Sequence, residues 1–252
     1  MTFTRSEMDA EGEVASRLPS RSAGSHLNQR GGGYDDLERL MSLMTGDEKH
    51  SAAATSTLDV IWVLYDRVLR VSPESMADHD RDRFYLSKGH GPMAYYAVLA
   101  AKGYIPESWL AHWASYDSPL GYHPDRNLVP GVEISSGSLG HGLPLAVGTA
   151  LGLRAQGLSS RVVVLVGDAE LDEGSNQEAL ALAGALGLDG LTVVVVDNRS
   201  ATYRSAGQIE RRFAVEGWST AVVGGRDHAA VEAALRRPEG RPSVVVAEVE
   251  DK

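Results

Sequence analysis

Two short β-branched runs, Val162–Val166 and Thr192–Val196, restrict what this chain can fold into more than any other feature of its sequence. Neither run alternates apolar with polar residues, so each reads as a strand covered on both faces, the mark of a parallel sheet. Between them Ser175–Leu186 is rich in Ala and Leu, with small residues on one face, and reads as the crossover helix. A right-handed crossover of this length sets the two strands parallel and neighbouring or nearly so. Their carboxyl ends then share one edge, where ligands of open α/β sheets sit. Asp168 follows the first run and Asn198 the second, so both can converge on one bound group although thirty positions separate them. Two oxygen ligands without a nearby Cys suit a hard divalent cation such as Mg²⁺, with phosphate oxygens and water completing its shell.

A chain of 252 residues fits one large α/β domain or two small ones, and 43% hydrophobic composition supplies a core. With three Phe and twenty-seven Gly, that core is mostly Ala, Val and Leu, which favours close packing of helix on sheet. A net charge of −10 argues against nucleic acid or an anionic membrane as the main partner. Any bound anion must be held locally, by dipoles, metal or histidines. The absence of Cys excludes disulfides and thiolate metal sites and fits a reducing cytoplasm. No apolar run reaches the roughly 18–20 residues of a membrane helix, and the N-terminus lacks the apolar core of a secretory signal. A soluble, cytoplasmic protein is therefore expected.

Residues 1–33 mix charges, Ser and Gly without period and read as a mobile extension, followed by one strand–helix domain over 34–252. Apolar spacing predicts a helix over Tyr34–Met44 and a more buried one over Ser56–Val71, stopped by Ser72–Pro73. A short strand is expected at Arg83–Ser87, then helices at Pro92–Ala101 and Glu107–Ser115. The aperiodic segment Tyr116–Gly142 is long enough to be functional. It runs into an apolar helix, Leu143–Gln156, whose N-terminus is well placed to hold an anion. The remaining elements are a helix near Ser205–Ala214, a strand at Ser219–Val223, a helix at Asp227–Arg236 and a last strand at Ser243–Val249.

The ordered motifs KHSAAATSTLDVIWVLY, DRDRFYLSKGHG, GYHPD, GVEISSGSLGHGLPLAVG, GDAELDEGSNQEA and VVVVDNRS resemble the amino-terminal, diphosphate-binding half of transketolase. The match in order and spacing runs from roughly Asp35 to Val249. It implies the thiamine diphosphate-binding fold, a mainly parallel sheet with helices on both faces. It also implies a metal, Mg²⁺ with Ca²⁺ or Mn²⁺ as substitutes, held by Asp168, Asn198 and the carbonyl of Ser200. Gly167 and Ala169 would approach the diphosphate. Ala169 stands where the family has Gly, and its methyl is tolerated only at negative φ. The segment Gly137, Ser138, Leu139, Gly140 and His141 matches the loop that touches aminopyrimidine and diphosphate, with His141 at a position where many relatives carry Gln. His50, His90 and His123 match histidines that line the substrate channel, bind the diphosphate or the ketose hydroxyls, and shuttle protons at the sugar's carbonyl and hydroxyls, where a pKa near neutrality is useful. Glu173 matches an acid that faces the subunit interface, and it equally suits a helix-start acid beside the positive end of the dipole.

Thiamine reacts through the C2 carbanion of its thiazolium, so the protein's work is to grip the diphosphate, neutralise its charge and orient the rings. In the family the acid that engages the pyrimidine belongs to the following domain, and this sequence ends at Lys252. The resemblance therefore points to the small subunit of a split transketolase, with a pyrimidine-domain partner supplying the activating Glu, in an α₂β₂ assembly. A further family His expected after the last strand has no counterpart, and TYRSAG after Asn198 departs from the usual continuation, which points to a specialised donor or acceptor. Two alternatives stand beside ketol transfer: one chain of a two-chain 2-oxo acid decarboxylase or dehydrogenase, and a non-catalytic partner.

Overall fold

The computed structural model describes residues 32–44, 55–89, 92–201, 205, 207–236 and 240–250. The chain divides into two units, residues 1–30 and 31–252, and every described residue lies in the second. Residues 1–31 of the expected extension, with His50 and His90, lie outside the described residues. Gly32 already belongs to the folded unit, since its N–H donates to the Ala101 carbonyl at 2.9 Å.

Five strands, β1 (Arg83–Leu86), β2 (Val162–Gly167), β3 (Leu191–Asp197), β4 (Ser219–Gly224) and β5 (Ser243–Glu248), form one sheet in the order β1-β2-β3-β5-β4. Every pairing is parallel, and β2 pairs directly with β3, as the two β-branched runs require. The seven described helices are α1 (Asp36–Ser42), α2 (Leu58–Val63), α3 (Met93–Ala101), α4 (Gly142–Ala155), α5 (Gly174–Ala185), α6 (Gln208–Val215) and α7 (His228–Arg236). Handedness sorts them. The chain moves one way along the sheet from β1 to β2, β3 and β4, so right-handed crossovers leave α4, α5 and α6 on one face. It reverses from β4 to β5, and α7 lies on the opposite face with α1, α2 and α3. Strand side chains alternate between the two cores: Val163, Leu165, Val194 and Val196 pack with the second group, and Val162, Val164, Val193 and Val195 with the first.

Two expected helices take other forms. The segment Glu107–His112 is a 3₁₀ helix, ended when Trp113 turns extended and Ala114 takes a left-handed φ of 58°. Helix α2 widens into a π-helical turn at Leu64–Val68, closed by Leu69 N–H on the Leu64 carbonyl at 2.8 Å, so it stops before Ser72–Pro73. Helix α5 sits so close to the chain before β4 that a Cβ on Gly184 would lie 1.9 Å from the Glu216 carbonyl oxygen. Small residues on that face are thus a packing requirement.

The start of α2 is pinned by one carboxylate. Asp59, 4% exposed, accepts hydrogen bonds from Tyr34 Oη at 2.5 Å and Arg226 Nη1 at 2.5 Å, and His228 Nε2 lies 2.7 Å from it. Arg226 also donates to the Thr55 carbonyl and to Glu250, so the cluster joins the segment before α1, the start of α2, the β4–α7 turn and the end of β5. Burial pushes the Asp59 carboxyl up, and the three hydrogen bonds outweigh it and hold the group below the ordinary carboxylate value. A depressed folded-state pKa contributes stability that is complete above the unfolded value of ~3.9 and fades as pH falls through the folded one. Asp59→Asn should therefore lower stability by about 2 kcal/mol at pH 7, with the deficit shrinking below about pH 4. Urea unfolding across that range checks this, and a deficit independent of pH would assign the loss to shape and not charge.

Candidate cofactor and metal site

The carboxyl ends of β2 and β3 lie side by side. Gly167 pairs with Val196, and the Asp168 N–H extends the ladder by donating to the Val196 carbonyl at 3.2 Å. Asp168 and Asn198 are both buried there, at 1% and 3% exposure. The chain after Asn198 turns back through Arg199, whose φ of 55° is left-handed, so that Ser200 Oγ donates to Asp168 Oδ1 at 2.5 Å and Ala201 N–H to Oδ2 at 3.0 Å. The structure thus brings all three expected metal-binding residues to one edge. Asn198 Oδ1 is buried without a hydrogen-bond partner. A buried amide oxygen left unmatched costs about 1–3 kcal/mol, and a cation that it can ligate removes that cost. No cluster of three or more His, Cys, Asp or Glu suited to a metal occurs among the described residues, so an ion here would be completed by carbonyl, hydroxyl and ligand oxygens. The donor set fits a hard divalent cation and, through it, a diphosphate.

Ala169 does not carry a positive φ; it begins a 3₁₀ turn, Ala169–Asp172, directly after Asp168. The methyl that replaces the family's Gly therefore meets no backbone strain.

The loops around this edge pack through glycines. A Cβ on Gly89 would lie 2.6 Å from Gly137 N and 3.2 Å from the His123 ring, and one on Gly137 would lie 3.1 Å from that ring. His123 therefore sits exposed over the meeting point of the Lys88–Gly89 turn and the 137–141 loop. Within that loop Leu139 is 37% exposed, and Ser138 Oγ lies 3.5 Å from His141 Nε2, the outer limit of a hydrogen bond. Gly140 has φ +82° and packs on the start of α5: a Cβ there would come within 2.5 Å of Ser175 Oγ and 2.7 Å of Glu173 Cβ. Ser175 Oγ donates to the Gly140 carbonyl at 2.8 Å. Glu173 is exposed beside this contact, immediately before α5.

Beside the N-terminus of α4 the chain places a polar cluster of its own. Gly142 N–H donates to Ser87 Oγ at 3.0 Å, Ser87 Oγ donates in turn to the Glu170 carboxylate, and Gly140 N–H donates to the same carboxylate at 3.0 Å. Gly167 N–H reaches its other oxygen at 3.3 Å. Burial raises the Glu170 carboxyl above its ordinary value, against these hydrogen bonds. Glu170, Ser87 and Lys88, whose stem covers Gly167, are absent from the sequence-derived set. The segment GDAELDEG holds four acids, Asp168, Glu170, Asp172 and Glu173, and spacing alone does not reveal that Glu170 is the one turned inward beside Asp168.

The family model described as transketolase, thiamine diphosphate binding domain, matches residues 41–249. A protein of Rhodococcoides fascians named ferredoxin fas2 is 58% identical over 218 residues, 86% of this chain and 72% of that protein. The sequence here has no Cys, so nothing in it can ligate an iron–sulfur cluster in the usual thiolate manner. One of the subunits of the apulose-4-phosphate transketolase of Actinobacillus succinogenes is 37% identical over 232 residues, 85% of this chain and 84% of that relative. Among solved structures, the transketolase from Leishmania mexicana superposes with a TM-score of 0.71 at 25% identity, over 86% of this chain and 36% of that one.

The packing of the 137–141 loop generates a direct expectation. Gly140→Ala should cost about 1–3 kcal/mol, because its Cβ meets Ser175 and Glu173 at a left-handed φ. Thermal denaturation measures it, and a variant as stable as the parent would show that the loop is not seated on α5.

Proposed function

The chain belongs to the transketolase family through its thiamine diphosphate-binding domain, and we propose that it is the diphosphate-binding subunit of a two-chain, thiamine diphosphate-dependent transketolase. Such an enzyme moves a two-carbon ketol unit from a ketose or ketose phosphate to an acceptor. The observation that carries this reading is the buried Asp168, Asn198 and Ser200 cluster with its unmatched amide oxygen, set in a chain that aligns along 84% of a relative named as one transketolase subunit.

Bound thiamine diphosphate would supply the carbanion that accepts and releases the ketol unit. The residues of this chain do the rest. Asp168, Asn198 and the Ser200 carbonyl would hold Mg²⁺, whose charge would offset that of the diphosphate, and Ca²⁺ or Mn²⁺ suit the same oxygen set. Gly167 and Ala169 would approach the diphosphate, and the loop residues Gly137, Ser138, Leu139 and His141 would contact the cofactor. His123, exposed above Gly137, holds or releases a proton at a substrate hydroxyl, a role shared with His50 and His90. Glu173 lies on the α5 side, toward the subunit interface.

A separate partner is supported by the surface. Helix α4 carries one charged residue, Arg154, and the Ala179–Ala185 part of α5 none, so both leave apolar residues on outward-facing positions. Leu145 on α4, Leu182 on α5 and Leu186 just after α5 are 50%, 48% and 42% exposed. We assign this face to the assembly with a pyrimidine-domain subunit that supplies the activating Glu, in an α₂β₂ arrangement. No described helix is long and apolar enough to cross a membrane. A chain without Cys is compatible with the cytoplasm, where we place the enzyme.

Mixed with its partner subunit, thiamine diphosphate and Mg²⁺, the chain should transfer a ketol unit from a ketose phosphate to an aldose. Decarboxylation of pyruvate without ketol transfer would overturn this assignment. In calorimetry of the complex, Asp168→Ala should weaken cofactor uptake at least about 100-fold, since it removes a buried charged ligand. Uptake equal to the parent's would refute the metal assignment. Ala169→Gly, by contrast, should leave affinity within about twofold, because residue 169 needs no positive φ.

A further inference from the structure

Glu170 is 2% exposed, carries a carboxylate, and is neither a metal-binding residue nor part of the loop that lines the crevice. Each of its side-chain partners is a donor: Ser87 Oγ and Gly140 N–H on Oε1, and Gly167 N–H on Oε2. Ser87 Oγ is also the acceptor for Gly142 N–H, and the Glu170 main-chain carbonyl accepts Asn176 Nδ2 at 2.7 Å. One residue therefore fastens two segments distant in sequence, the end of β1 and the 137–141 loop with the start of α4, to its own neighbours at the end of β2 and the start of α5. Three of these fastened points adjoin a residue that faces the crevice. Ser87 leads into Lys88 and Gly89 beneath His123, Gly140 anchors the loop that begins at Gly137, and Gly167 immediately precedes Asp168.

The contacts leave no slack. A Cβ on Gly142 would lie 2.2 Å from Ser87 Cβ, so α4 abuts the end of β1 directly. A diphosphate gripped by several loops binds well only if the loops are held within about 0.5 Å of the productive arrangement beforehand. We propose that Glu170 is a positioning residue whose carboxylate locks the three loops of the crevice to one another and thereby sets the affinity for a diphosphate-bearing cofactor. The fastening stands on the hydrogen bonds alone, and its link to cofactor affinity rests on the thiamine reading.

Glu170→Gln keeps the shape and replaces one acceptor oxygen by an N–H₂ aimed at a backbone N–H. In the full chain without cofactor, hydrogen exchange followed by mass spectrometry should quicken about 10-fold or more at residues 137–143 and 165–168, with β3 unchanged. In the complex with partner subunit and Mg²⁺, the half-saturating thiamine diphosphate concentration should rise about 10–100-fold, with kcat at saturation within about threefold of the parent. Ser87→Ala, which removes one donor and the acceptor for Gly142, should give the same pattern more weakly, and it decides the matter if the glutamine variant does not fold. Unaltered exchange in those segments, or a fall in kcat with half-saturation unmoved, overturns the proposal. A parent complex that takes up no thiamine diphosphate refutes the functional assignment instead, and exchange alone then judges the fastening.

Discussion

The direct parallel pairing of β2 with β3 is the constraint from which the rest of the site follows. It places Gly167 against Val196 and carries the ladder on to Asp168, so a carboxylate and an amide from distant positions finish at the same edge. A shift of one residue would send Val163 and Val164 to the wrong cores and turn Asp168 away from Asn198. Because both faces of this pair are buried, the hydrophobic patterns of two cores oppose such a shift at once. Site geometry and core packing therefore share one determinant, and the register cannot change for one without disturbing the other.

Around that pair the crevice is assembled by non-local bonds of a different kind. Regular ladders end at Gly167 and Asp197, and beyond them the chain relies on single donors and acceptors: Ser200 and Ala201 on Asp168, Ser87 and Gly140 on Glu170, Ser175 on Gly140. Glycines at 89, 137, 140 and 142 make these approaches possible where any side chain would intrude. Some free energy is stored there, in the left-handed Arg199 and the unmatched oxygen of Asn198. Such features persist only where the surrounding structure holds them in place.

The parts of this architecture legible in the sequence are those with a local signature. Unbroken Val runs marked buried parallel strands, the Ala-rich stretch between them marked a crossover helix, and the acid and amide after each strand marked the edge where a cation would sit. Motif order carried the family and much of the candidate site. What spacing could not carry was the direction of side chains in turns. Four acids stand within GDAELDEG, and the fold alone reveals that Glu170 turns inward while Asp172 and Glu173 stay exposed. Nor does spacing show that Gly140, just before α4, donates to Glu170, thirty residues onward. The 3₁₀ form of Glu107–His112 and the π turn in α2 are likewise not written in helical periodicity.

The apolar flanks of α4 and α5 also bear on the chain's life before any chemistry. Leu145, Leu182 and Leu186 present an adhesive surface from the moment the sheet has folded, and a copy that finds no cover is exposed to self-association and to quality control. In the proposed assembly its abundance would then follow the supply of whatever covers that face, and excess synthesis of this chain alone would add aggregate or degraded protein.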